Sequence, residues 1–210
     1  MAGSVSYNDN VFINCPFDDD YKPLYEATIF AIIDCGFTPR CALEENDAGN
    51  IRIEKIYRLI DDCKFGIHDI SMAGLDPITN LARFNMPFEL GLFFGAKRYA
   101  AATHRNKNKK ILVMDSEQAR YQQFISDLLG YDIAEHHQDL NTLVTKVRNF
   151  LANHTERESI AGGAYIAGRL QLFLQDLPGY CQTAHWHREH LSFLEFVSCI
   201  EVWIEENPIT

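Results

Sequence analysis

Basic residues are scarce in this chain of 210 residues: 19 Lys and Arg stand against 29 Asp and Glu, for a formal charge of -10. Binding along a phosphate backbone draws on counterion release by a basic surface, so nucleic acid is excluded as a general partner. The six cysteines, Cys15, Cys35, Cys41, Cys63, Cys181 and Cys199, form no C-x-x-C pair. Four lie in apolar runs, where a reduced thiol behaves as a small hydrophobe, so free thiols in a reducing compartment are expected. No apolar run approaches the roughly 20 residues of a bilayer span, and the opening "MAGSVSYNDN" lacks a basic segment followed by an apolar one. A cytoplasmic chain without a membrane partner is the expectation. Internal repeats and low-complexity segments are also missing. What remains, 47% hydrophobic and 23% charged residues, is ordinary for a globular domain able to bury a sizeable core.

From residue 11 onward, short apolar runs alternate with longer helical patterns. "VFINC" (11–15), "TPRCALE" (38–44), "KFGIHDI" (64–70), "ILVMD" (111–115) and "DIAEH" (132–136) read as strands. Between and after them, residues 23–36, 50–63, 84–98, 117–130 and 139–154 carry helical periodicity, with Gly36 and Gly130 as stops and Asn50 as N-cap. This alternation predicts an α/β fold with a doubly wound, flavodoxin-like five-stranded parallel sheet. The polar segment "TERESIAGG" (155–163) divides a domain of residues 1–155 from a C-terminal helical extension, 156–210. There, "AYIAGRLQLFLQDL" and "LSFLEFVSCIEVWIEE" read as amphipathic helices too apolar to be left in water, which pack on the domain or on another copy.

Doubly wound sheets bind their ligands beyond the carboxyl ends of the strands. "NCPFDDD" (14–20), "EEND" (44–47) and "HDIS" (68–71) end the first three strands, and a long stretch, 71–85, follows the third. A connection of that length inside a compact domain is usually functional. It leads into "FNMPFELGLFFGAKR" (84–98), where Glu89 is the single acid among Met86, Phe88, Leu90, Leu92, Phe93 and Phe94. Pro87 marks the first helical turn, and Glu89 is expected to share it, with free amides and the helix dipole keeping its carboxylate ionised. An ionised, poorly hydrated carboxylate suits a nucleophile or a stabiliser of cationic charge. Capping of the helix is the plainer use of a glutamate there, set against the company of Asp69 and the long loop.

Other polar clusters have ordinary explanations. Cys181, His185, His187 and His190 match no structural-zinc spacing and are assigned to a solvated connection, so no metal site is expected. Asp18, Asp19 and Asp20 read as a charge cluster opening a helix. His68, flanked by Ile67 and Ile70, reads as a satisfied rim residue before a general acid. Arg40, Arg52 and Arg83 are the basic residues nearest the rim, with Arg83 first as a phosphate partner.

"FELGLFFGAKR" after "GIHDIS" resembles the nucleoside 2-deoxyribosyltransferase and deoxynucleoside-monophosphate N-glycosidase families. In those families an E-L-G-x-A-x-x-x-G-K helix start carries the catalytic glutamate; Glu89, Leu90 and Gly91 match it, with Gly95 and Lys97 matching approximately. "VFINCPFDDDYKPLYEA" is similar to their first strand and loop, and "IEKIYRLIDDCKFGIHDIS" to their D-x-x-x-I-x-x-C/A-D-x-x-I-x-D run. The same fold group includes the Toll/interleukin-1 receptor (TIR) domains, whose NAD-cleaving members also place a glutamate at the start of the helix after the third strand. The likeness covers roughly residues 11–150. It implies cleavage of a nucleotide's N-glycosidic bond, with NAD or a deoxynucleotide as substrate and no resident cofactor. Glu89 and Asp69 would be the catalytic pair. Asn14, Cys15, Pro16, Phe17, His68, Ser71, Arg83, Phe84 and Asn85 would line the substrate. The resemblance further implies self-association through the C-terminal helices and, among prokaryotic relatives, a part in defence against phage. Where those families carry a glycine- or serine-rich first loop, this chain has "NCPFDDD", whose acids disfavour a 5′-phosphate. A nucleotide sensor or interaction module without catalysis is the alternative expectation.

Overall fold

The structure is a computed structural model that describes residues 6–45, 49, 51–72, 80, 83–117, 120–157 and 159–209. Strands β1 (Asn10–Asn14), β2 (Thr38–Arg40), β3 (Phe65–Asp69), β4 (Lys110–Asp115) and β5 (Ala134–Glu135) form one parallel sheet in the order β2-β1-β3-β4-β5. This is the doubly wound α/β arrangement expected from the sequence, with helices on both faces. β1 and β3 occupy the centre, in a register that sets Asn14 beside His68. β2 is shorter than the sequence suggests, because the chain turns after Arg40, with the Glu44 amide bonded to the Cys41 carbonyl. Its Pro39 is tolerated because β2 is an edge strand, where a missing donor costs little.

Alternation along the central strands sorts side chains between the faces. Val11, Ile13, Phe65 and Ile67 join one core with helices α1 (Lys22–Asp34) and α4 (Leu140–Asn153). Phe12 joins the opposite core with α2 (Arg52–Asp62) and α3 (Asn85–Tyr99). Gly66 is needed on this second face: an added Cβ would stand 2.7 Å from His68 Nε2 and 2.8 Å from Phe93 Cζ. Just past its C-cap Cys35, α1 is closed by Gly36, whose φ of +82° suits glycine, while the Phe37 amide reaches back to the Ile32 carbonyl.

α1 is buried almost all round, since helices α5 (Gly163–Ala184) and α6 (Phe193–Glu206) cover the side away from the sheet. The apolar faces of the extension are thus spent on α1, with Phe173 and Trp203 against Phe30. Two buried acids of α1 each meet an arginine from the C-terminal segment. Arg169 makes Nε and Nη bonds of 2.9–3.1 Å to the Asp34 carboxylate, and Arg188 pairs with Glu26. α5 runs past the expected end at residue 177, through Pro178, to a left-handed cap at His185. Cys181 therefore lies in the core rather than in a solvated connection.

Among the described residues of 117–130 the expected helix does not form. The backbone leaves helical space at Ile125 (φ -136°, ψ 71°), splitting the segment into 3-10 turns at Arg120–Gln123 and Ser126–Leu128. Each turn is pinned by one buried side chain, Tyr121 or Leu128, against Ile70, Met86, Leu90 and Val113. Short turns let both anchors reach this cluster across β4 and α3. Asn50, expected to cap α2, lies outside the described residues, and the observed N-cap is Ile51 without a side-chain bond.

Candidate active site

Asn14 ends β1 and bridges three elements. Its Nδ2 donates to His68 Nδ1 at 3.0 Å and to the Met86 carbonyl at 2.8 Å, joining β1 and β3 to the first turn of α3. His68 accepts through Nδ1, so its proton sits on Nε2, which finds no partner. The ring packs edge-on to Phe12 and Phe93, wholly buried, and burial together with Lys109 pushes its pKa down to about 3. Strand alternation places His68 and Asp69 on opposite faces of β3, which separates two residues adjacent in sequence.

Asp69 faces α1. Its Oδ1 accepts from the Ser71 amide at 2.8 Å and from the Ser71 hydroxyl, and its Oδ2 accepts from Tyr21 Oη at 2.6 Å. His136, just beyond β5, adds Nε2 at 2.9 Å from Oδ2 and 3.0 Å from Ser71 Oγ. Ser, His and Asp together suggest a hydrolytic triad, but the geometry is different. Both oxygens approach one ring nitrogen, while Nδ1 accepts the Gln138 amide at 3.1 Å. The proton is therefore held on Nε2, where it cannot serve as a base for Ser71. The cluster is a buried network that fastens the loops after β1, β3 and β5 together. Burial and the adjacent Asp69 carboxylate push the Tyr21 phenol well above its ordinary range, keeping it a donor.

α3 explains the position of Glu89. Met86, Glu89, Leu90 and Phe93 are its buried residues, a stripe at i, i+3, i+4 and i+7 that faces the sheet. Glu89 thus takes a core position on an amphipathic helix. Its place within the helix departs from expectation: the N-cap is Phe84, Pro87 completes the first turn, and Phe88 already bonds to the Phe84 carbonyl. Glu89 therefore lies in the second turn, beyond the free amides and the strongest part of the dipole. Only 7% exposed and without a hydrogen-bond partner among the described residues, its carboxyl is desolvated. Burial raises its pKa to about 7, with Arg52 opposing the rise. A group divided between acid and carboxylate at neutral pH replaces the permanently ionised one expected from the sequence.

Cys15 connects the two acids. Its buried thiol lies in the fields of Asp69, Glu89 and Asp18, and desolvation, reinforced by those charges, raises its pKa well above the usual range. It is a neutral spacer and not a nucleophile. Pro16 is buried, whereas Phe17 is exposed and set edge-on to Tyr25. Asp18 pairs with Arg83, which draws one acid of the "FDDD" run into an ion pair and occupies the arginine first chosen for phosphate. The acidic run precedes α1 without entering its first turn. Arg40 is held by Glu44. Among the described residues Arg52 has no ion-pair partner, and it is the cation that acts on Glu89. Phe84 and Asn85 are exposed at the start of α3, away from the buried stripe. Asn46, Asp47 and residues 73–79 of the long connection lie outside the described residues.

Asn14, Cys15, Asp69, Ser71 and Glu89 are therefore gathered at one rim, with His68 beneath it. Tyr21 and His136 are the members that sequence reasoning missed. Their signal was position alone, since each lies next to the carboxyl end of a strand or on the turn that follows it. No family model matches the chain, and comparison with curated proteins returns no match.

Proposed function

We propose that the protein cleaves the N-glycosidic bond of a nucleotide, with Glu89 as the reacting carboxylate. One observation carries the reading: a glutamate occupies a core position of α3 beside the strand ends, desolvated and without a hydrogen-bond partner among the described residues. Burying such a group opposes stability, and titratable groups shifted toward neutral pH concentrate at sites of chemistry. Breaking a C1′–N bond develops oxocarbenium charge on the sugar. A carboxylate in a poorly hydrated pocket stabilises that charge or captures C1′, and approach of a cationic centre favours its ionised form. Asn14 holds the start of α3 against β1, while Asp69, with both oxygens already accepting bonds, acts as a positioning residue. Arg52 is the cation free to meet a phosphate. NAD or a deoxynucleotide as substrate, cytoplasmic residence and assembly into oligomers belong to this proposal. All six cysteines are free and buried, and among the described residues no helix is long and apolar enough to cross a membrane.

The saturation of Asp69 favours a second reading, a sensor that binds a nucleotide at the same rim and returns it intact. Incubation with NAD and a panel of nucleotides and deoxynucleotides, resolved by liquid chromatography and mass spectrometry, separates the two. Release of a free base supports cleavage; binding with every nucleotide recovered intact supports the sensor.

A further inference from the structure

A second cluster lies at the opposite end of the sheet. Lys97 and Arg98 close α3, Lys107 follows on the next turn, and Lys110 begins β4, so four cations gather in a chain of net charge -10. Part of this is explained by the helix: cations favour its C-terminus, and Lys107 Nζ donates to the Arg98 carbonyl at 3.1 Å. Lys110 has no such explanation. Neither Lys97 nor Lys110 has an ion-pair partner among the described residues, and the two repel each other, Lys97 being lowered by burial and then by Lys110.

These cations border two adjoining cavities of about 660 and 250 Å³ that share Phe94, Lys97 and Tyr131 as walls. Phe94 and Tyr131 sit 5.0 Å apart between ring centroids, at an interplanar angle of 52°. Gly91 and Gly95 open the larger cavity, since a Cβ added at either meets nothing within 4 Å. The larger volume falls within the range of small-molecule sites. Neither of the short 3-10 turns between β4 and β5 contributes a wall to these cavities, which lie between the end of α3, the start of β4 and Tyr131.

We infer that this groove binds a nucleoside phosphate, separately from the Glu89 rim. The base lies along the Gly91–Gly95 side of α3 beside Phe94 and Tyr131, and the phosphates meet Lys97 and Lys110, with Arg98 and Lys107 at the margin. Unpaired cations beside an exposed ring, Tyr131, and the half-buried Phe94 provide the two kinds of contact that such a ligand requires. Asp132 and His154 line the smaller cavity together with Lys97 and Lys110.

Isothermal titration of the full chain with ADP, pyrophosphate and adenosine tests this. ADP is expected to bind more tightly than pyrophosphate or adenosine, and more weakly as salt rises. Lys97→Ala with Lys110→Ala should weaken ADP about tenfold or more while the thermal transition is retained, given the strength of charged hydrogen bonds. Tyr131→Ala should weaken ADP and leave pyrophosphate unchanged. Glu89→Gln should leave this binding unaltered, which separates failure here from failure of the proposed reaction. Absence of ADP binding at millimolar concentration would overturn the inference. So would equal affinity for ADP and pyrophosphate, binding lost in Glu89→Gln but kept in the lysine variant, or a dimer abolished by Lys97→Glu without any ADP binding, which would assign the groove to a second copy.

Discussion

His136 Nε2 stands 2.9 Å from Asp69 Oδ2, and this buried contact joins the end of β5 to the end of β3 across the intervening β4. Tyr21 donates to the same oxygen from the start of α1. Three chain segments distant in sequence thus share one carboxylate, which fixes the rim on which Glu89 sits.

Removing either donor should loosen that rim. Tyr21→Phe and His136→Ala are each expected to cost about 1–3 kcal/mol, the usual penalty for disrupting a buried hydrogen bond to a charged group. Because both act on Asp69, the double variant should deviate from additivity by at least about 0.5 kcal/mol. Urea denaturation of the four proteins of the cycle measures this, and strict additivity would show that the two donors do not form a unit.

Glu89 should make stability depend on pH. Its folded pKa, about 7, lies above the ordinary 4.5, so the folded state holds the proton more tightly than the unfolded one. Stability on this account is greatest below pH 4.5, falls as pH rises toward 7, and is constant above. A shift of this size corresponds to roughly 3 kcal/mol as an upper estimate. Glu89→Gln, which cannot ionise, should therefore melt higher than the parent at pH 8 and close to it at pH 4. Equal differences at both values would remove Glu89 from the explanation.

The same titration should govern the reaction. If Glu89 must be ionised to stabilise or capture the sugar cation, kcat/KM should rise with pH through an inflection near 7, since that ratio reports the free enzyme. A profile flat between pH 5 and 8 would contradict the assigned role.

Arg169 tests whether the C-terminal helices are part of the fold. The Asp34 carboxylate it holds is buried, so Arg169→Met leaves a charge without its partner and should cost about 3–5 kcal/mol. Pairing it with Asp34→Leu should recover much of the loss. If thermal denaturation finds the single variant as stable as the parent, α5 and α6 are an appendage and not a covering layer for α1.

The sheet was legible because its strands are short apolar runs bounded by turns and separated by helical patterns; that Val11 and Ile13 face one core and Phe12 the other was not, since all three are apolar. Glu89 was legible as an acid out of place in an apolar helix. Its protonation was not, because that depends on how far the helix start lies from the carboxyl and on what covers it. Tyr21 and His136 acquire their roles only when the ends of β1, β3 and β5 come together, and no local pattern marks that meeting. Residues 117–130 carry helical spacing, but Tyr121 and Leu128 sit on separate 3-10 turns and both reach the cluster around Met86 and Val113, a tertiary contact that no local pattern announces.

The most direct test of the central claim compares the parent with Glu89→Gln on the nucleotide panel, following base release and binding together. Glu89→Gln should bind the substrate the parent cleaves and turn it over at least about a hundredfold more slowly, the scale of loss when a positioned electrostatic group is removed. Turnover by Glu89→Gln at the parent's rate would contradict the claim outright.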